Sequence, residues 1–103
     1  LKNKVKRAFW SFISASQNLH FCRSNLNHAD YFVCKTNTGE IAYYQVAWQM
    51  TQAKTIDREF GALEKIKDNY PKFLLTTDGF TQSRNGIQHH NVFRWLLNNF
   101  LKE

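Results

Sequence analysis

The stretch 29–50, ADYFVCKTNTGEIAYYQVAWQM, constrains the fold of this chain more than any other. Aromatic and β-branched residues crowd both sides of a polar turn, Thr36-Asn37-Thr38-Gly39, a pattern that suits a pleated surface better than a helix. It predicts a β-hairpin with strands over 30–35 and 40–49. Successive side chains of a strand point to opposite faces. In the second strand Ala42, Tyr44, Val46, Trp48 and Met50 share one face, apolar throughout and expected to look into a core. Ile41, Tyr43, Gln45, Ala47 and Gln49 share the other, a mixed face on which a shallow site at Gln45 is expected.

The flanking segments supply what such a hairpin needs to cover it. Residues 1–17 read as a helix, because Leu1, Val5, Phe9, Phe12 and Ile13 recur at helical spacing while Lys2, Lys6 and Arg7 can project to water. Residues 19–24 read as a short strand and 25–28 as a turn, so three consecutive strands form an antiparallel meander. After Met50, Thr51 or Thr55 can cap a helix whose stripe is Ile56, Phe60, Leu63 and Ile66, with Asp57 and Glu59 favourable to its dipole. Pro71 ends it by disfavouring helical geometry at Tyr70. KFLLTT, residues 72–77, reads as a short buried strand. A strand reached through a helix is expected to lie parallel to its neighbour in the sheet. Residues 78–90 read as a polar loop with turn signals at Asp78-Gly79 and Asn85-Gly86. Asn91 caps a final helix over 92–101, with Val92, Phe93, Leu96, Leu97 and Phe100 facing inward. The expected order is helix, strand, strand, strand, helix, strand, helix: an α/β domain whose mixed central sheet is flanked by helices.

Composition limits the function classes. At 103 residues the chain makes one domain, and 43% hydrophobic with 16% aromatic content is enough for a real core. No run approaches the roughly 18 apolar residues of a membrane span, and the opening residues do not read as a signal peptide. A cytoplasmic protein with no membrane partner is the expectation. The start at Leu1 rather than Met suggests a piece of a longer protein. The net charge of +6 permits binding to nucleic acid or an acidic surface, with Lys2, Lys4, Lys6 and Arg7 as candidate nucleic-acid contacts. Adjacent strands could bring Cys22 and Cys34 within disulfide range. Without a secretion signal, buried reduced thiols are the reading we adopt. His20, His28, His89 and His90 show no metal-ligand spacing, and no metal or other cofactor is expected. His89 and His90 precede the last helix and read as capping or surface residues. No GxxxxGK[ST] occurs, so these residues are not expected to bind ATP.

The element order is also the core of the restriction-endonuclease-like, PD-(D/E)xK fold. The local text ADYFV, a turn, YYQVAWQM, then AKTIDREFGALEKIKDNYPKFLLTTD resembles the C-terminal domain of unknown function in a family of bacterial and archaeal AAA+ ATPases. EFGALEKIKDNYPK is its most telling part. The resemblance implies a single restriction-endonuclease-like domain over 1–103, the C-terminal part of a longer ATPase, with its own N-terminal ATPase module as a partner.

Active members of that superfamily carry an acid on the first helix, an Asp on the second strand and Glu-x-Lys on the third. The carboxylates hold Mg²⁺, which activates water, and the Lys helps orient it. Asp30 matches the second-strand Asp, while Gln45 stands at the Glu position and Ala47 at the Lys position. The first helix holds no acid. With catalytic positions reduced to Asp30, Gln45 and Ala47, the expectation is a non-catalytic binding or interaction module, not an enzyme, that can contact nucleic acid. Two alternatives accompany it. A divergent Mg²⁺-dependent nuclease would recruit an acid from elsewhere, such as Glu40, Asp57 or Glu59. A purely structural assembly domain would use an apolar patch of Phe80, Ile87 and Trp95.

Overall fold

A computed structural model describes residues 2–16, 19, 22–24, 31–35 and 39–101. Helix α1 (Lys2–Ser16) leads to strands β1 (Arg23–Ser24), β2 (Tyr31–Lys35) and β3 (Ile41–Val46). Helix α2 (Ala53–Glu64), β4 (Lys72–Thr76), β5 (Gln88–Asn91) and α3 (Val92–Leu101) follow. The strands form one sheet in sequence order, antiparallel from β1 to β3 and parallel from β3 to β5. This is the expected α/β arrangement with a mixed sheet, and the crossover through α2 makes β4 parallel to β3 as its length predicted. Asp30, residues 25–28 and most of the hairpin turn lie outside the described residues. Gly39 closes that turn at φ 88°, a left-handed conformation that glycine adopts without a Cβ clash.

Both faces of the sheet are buried. On one, α1 and α3 cover Phe32, Cys34, Tyr44, Val46 and Leu75, with Trp10 stacked on Phe32 at 4.9 Å. On the other, α2 lays Phe60 and Leu63 over Leu74, Ile87 and Met50. Met50 and Trp48 therefore depart from the expected single face. Regular β3 ends at Val46, and the chain then bends along β4, where Thr77 N donates to Trp48 O. Met50 turns into the α2 core while Trp48 is left 67% exposed.

Other expectations are corrected. The segment read as a polar loop contains β5. Asn85 and Gly86, both at positive φ, form a tight turn closed by paired backbone bonds between Arg84 and Ile87, the geometry such a dipeptide favours. Ile87 then enters the core at 1% exposure, so no Phe80–Ile87–Trp95 patch exists. In α3, Asn91 Oδ1 accepts from Phe93 N and Arg94 N as the expected cap. Val92 and Leu96 pack inward as expected, but Phe93 and Leu97 face outward and Trp95 packs against the core in their place. Helix α2 starts from Gln52 without a side-chain cap, not from a threonine. Cys22 and Cys34, read as free thiols, are joined by a disulfide, because the register that opposes Arg23 to Val33 also opposes these two. Among the described residues no helix is long and apolar enough to cross a membrane.

Candidate functional site

Gln45 is the most deeply buried polar side chain on the mixed face, at 1% exposure. It occupies the central strand, between Tyr31 of β2 and Leu74 of β4, with α2 above it. Its Nε2 donates to Glu59 Oε1 at 2.6 Å, a short charge-assisted bond. Among the described residues its buried Oε1 has no hydrogen-bond partner. An acceptor stranded in this way costs about 1–3 kcal/mol of desolvation, so this half of the amide is a weak point of the core.

Glu59 is itself buried, and its charge is offset from two sides. Lys6 Nζ of α1 lies 3.7 Å from Oε1, and Arg58 Nε donates to Oε2 at 3.3 Å. Lys6 is mostly covered, whereas the Arg58 side chain is 61% exposed, so the lysine supplies the stronger compensation. One carboxylate thus ties α1, β3 and α2 together at the C-terminal end of β3.

A second polar cluster lies at the other end of the same strand. Tyr43 O–H donates to Asp68 Oδ2 at 2.6 Å, and Lys72 Nζ donates to Asp68 Oδ1 at 3.0 Å. The Asp68 hydrogen bond, with burial, pushes the Tyr43 phenol up to about 12. Burial works against the Asp68 carboxylate, yet the bonds from Tyr43, Lys72 and Tyr70 N–H together hold it below the usual carboxylate range. Beside this cluster, Glu64, Tyr70 and Asn85 border an open groove of about 440 Å³ floored by Leu63, Ile66 and Ile87. Arg84 closes over α2 by donating to Glu64 and Asp57, its guanidinium 4.8 Å from the Phe60 ring centre.

His89 is a core residue rather than a surface or capping one. Gln82 N–H donates to its Nδ1 at 3.1 Å, which puts the ring proton on Nε2, facing Thr76 Oγ1 at 2.8 Å. Desolvation pushes its pKa down and keeps it neutral.

Of the residues singled out from the sequence, Gln45 is brought together with Glu59, which the sequence offers both as favourable to the helix dipole and as an acid that a divergent nuclease could recruit. Ala47 is partly buried against the α2 core and offers neither charge nor acceptor. Asp30 lies outside the described residues. Arg7 is exposed, Lys6 is engaged with Glu59, and the side chains of Lys2 and Lys4 are outside the described set. Glu40 lies at the start of β3, exposed, and Asp57 pairs with Arg84. Among the described residues no three His, Cys, Asp or Glu side chains converge as metal ligands. The burial of Glu59 had a signal in the sequence: with Ile56, Phe60 and Leu63 it falls inside the helical stripe, where an acid needs a partner. Lys6 as that partner had none. Comparison of the chain with protein-family models, with curated proteins and with solved structures finds no match.

Proposed function

We propose that this chain is a non-catalytic binding module of restriction-endonuclease-like fold, the C-terminal part of an AAA+ type ATPase, which contacts nucleic acid and its own ATPase module. One observation carries the reading. Gln45, where the superfamily holds an acid, commits its amide nitrogen to Glu59 as part of a buried structural tie. A neutral amide is a poor substitute for a carboxylate at Mg²⁺, and Ala47 on the same face brings no amine to position water. The net charge of +6 supports a polyanionic partner. In the cytoplasm, where this reading puts the protein, thiols are kept reduced. The Cys22–Cys34 disulfide runs against that placement, and alkylation of the two thiols in fresh cell lysate tests it.

The test is fluorescence anisotropy of labelled DNA at low and moderate salt, followed by addition of Mg²⁺ or Mn²⁺. Affinity that falls steeply with salt, with DNA left intact, is the expected result. No binding at low salt would reject the nucleic-acid partner. The ATPase partner is checked by reading the coding sequence upstream of Leu1 for a phosphate-binding loop.

A second reading, a divergent Mg²⁺-dependent nuclease, is favoured by the carboxylate of Glu59 beside Gln45. Metal-dependent cleavage by the purified domain that disappears in Glu59→Gln would establish it in place of the first.

A further inference from the structure

We propose that the C-terminal end of the parallel strands binds single-stranded nucleic acid, with Trp48 and Phe80 as stacking platforms for unpaired bases and Arg7, Lys54 and Arg58 facing the phosphates. This rests on the nucleic-acid reading above and names the class of strand that the surface takes.

Hydrogen bonds and ring contacts gather this end. Thr77 N donates to Trp48 O at 2.9 Å, and Met50 N donates to the Asp78 carboxylate at 3.1 Å. Asn91 Nδ2 donates to Asp78 O at 3.0 Å, which brings in the start of α3. Helix α1 approaches the same place, since Phe9 meets Trp48 edge to face at 5.9 Å and Lys6 reaches Glu59. The segment bearing Trp48 is therefore held in place, and its indole rests on Phe9 while remaining 67% exposed. Phe80, two residues beyond Asp78, is 95% exposed.

Trp48 and Phe80 thus leave two large aromatic faces uncovered at one end of the sheet. On the two helices that reach this end, Arg7 of α1 and Lys54 and Arg58 of α2 are exposed. Of the acids on these elements, Glu59 is paired with Lys6 and Arg58, Asp57 is paired with Arg84, and Asp78 accepts from the backbone of Met50. A cationic surface carrying exposed aromatic rings suits unpaired bases, whose π-faces are free. A duplex keeps its base faces stacked inside and offers phosphates alone.

The decisive experiment compares a labelled single strand of about 12 nucleotides, within the roughly 4–16 that one small fold covers, with its own duplex, by anisotropy at about 50 mM salt. The single strand is expected to bind more tightly. Trp48→Ala should weaken it about tenfold and Phe80→Ala about threefold, given the usual strength of base–aromatic stacking. Trp48→Phe, which keeps a stacking face and a contact for Phe9, should stay within about twofold, as should duplex binding by all variants. Tyr70→Ala, at the opposite end of the sheet, should change nothing. Phe80 supports no core, so its variant reads binding without a folding penalty. Duplex bound as tightly as single strand, or alanine variants that match wild type, would overturn this inference and leave the nucleic-acid reading standing. Failure of both strands to bind at low salt would reject that reading too, and the aromatic end would then be a surface for a protein partner.

Discussion

Tyr43 and Gln45 point to the same side of β3, and each anchors a carboxylate and a lysine, yet the two clusters are finished to different degrees. Around Tyr43, both oxygens of Asp68 are engaged, and Lys72 Nζ donates to Asp68 Oδ1, Asp68 O and Tyr70 O. Around Gln45, Glu59 is compensated but the amide oxygen has no donor among the described residues. The difference follows from how each is assembled. Asp68 and Tyr70 lie in the irregular turn that leads into Lys72, the first residue of β4, and the backbone N–H and C=O groups of that turn are available to complete the set. Lys6, Gln45 and Glu59 come from two helices and a strand, where the backbone groups already serve helix and sheet ladders. A cluster built only from side chains on regular elements has nothing local with which to fill a gap.

The largest test of this contrast is Glu59→Ala. It leaves Lys6 covered and unpaired and takes the acceptor from Gln45 Nε2, and should cost about 3 kcal/mol in urea unfolding, as breaking a buried pair does. Asp68→Ala, at a wetter site, should cost about half as much. Equal losses would break the comparison.

Tyr43→Phe removes one hydrogen bond to a charged acceptor and should cost about 1.5 kcal/mol. Its sharper readout is spectroscopic: the most resistant tyrosine in an alkaline ultraviolet titration, ionising at about 12, should disappear.

Acid separates the Asp68 cluster from the neutral histidine. Because the folded pKa of Asp68 is depressed, its contribution is complete above the unfolded value of about 3.9 and is lost only as pH falls through the lower folded value. His89 is also depressed, but it is a base. The unfolded chain takes up a proton from about pH 6.5 downward while the folded protein resists, so stability falls as pH drops from 7 towards 5. His89→Gln should flatten that slope in urea midpoints, with His90, also depressed by burial, accounting for what remains. An unchanged slope would remove His89 from the account.

The smallest effect is expected from Gln45→Met. It deletes the stranded acceptor together with the donor, and Glu59 keeps Lys6 and Arg58, so unfolding free energy should move by less than about 1 kcal/mol. A loss as large as that of Glu59→Ala would mean that the amide, not the ion pair, holds the site together.

The elements that could be read from the sequence are those encoded by neighbours in the chain. The hairpin of β2 and β3, the α2 stripe of Ile56, Phe60 and Leu63, the Asn85-Gly86 turn and the Asn91 cap all rest on periodicity or on one residue's backbone preference. Both act within a few residues, so no knowledge of the rest of the molecule is required. The face on which Met50 is buried, the outward turn of Phe93 and Leu97, the pairing of β5 and the disulfide could not be read in the same way. Each depends on what lies across a gap in the chain: alternation ceases to report once β3 ends at Val46, and β5 is a strand only because β4 offers it an open edge. The candidate site belongs to this second kind. Gln45 was visible as a polar residue on a mixed face, but packing by α2 makes that face an interior, and Lys6, far away in sequence, meets Glu59 there because the helices on opposite faces converge at the end of one strand.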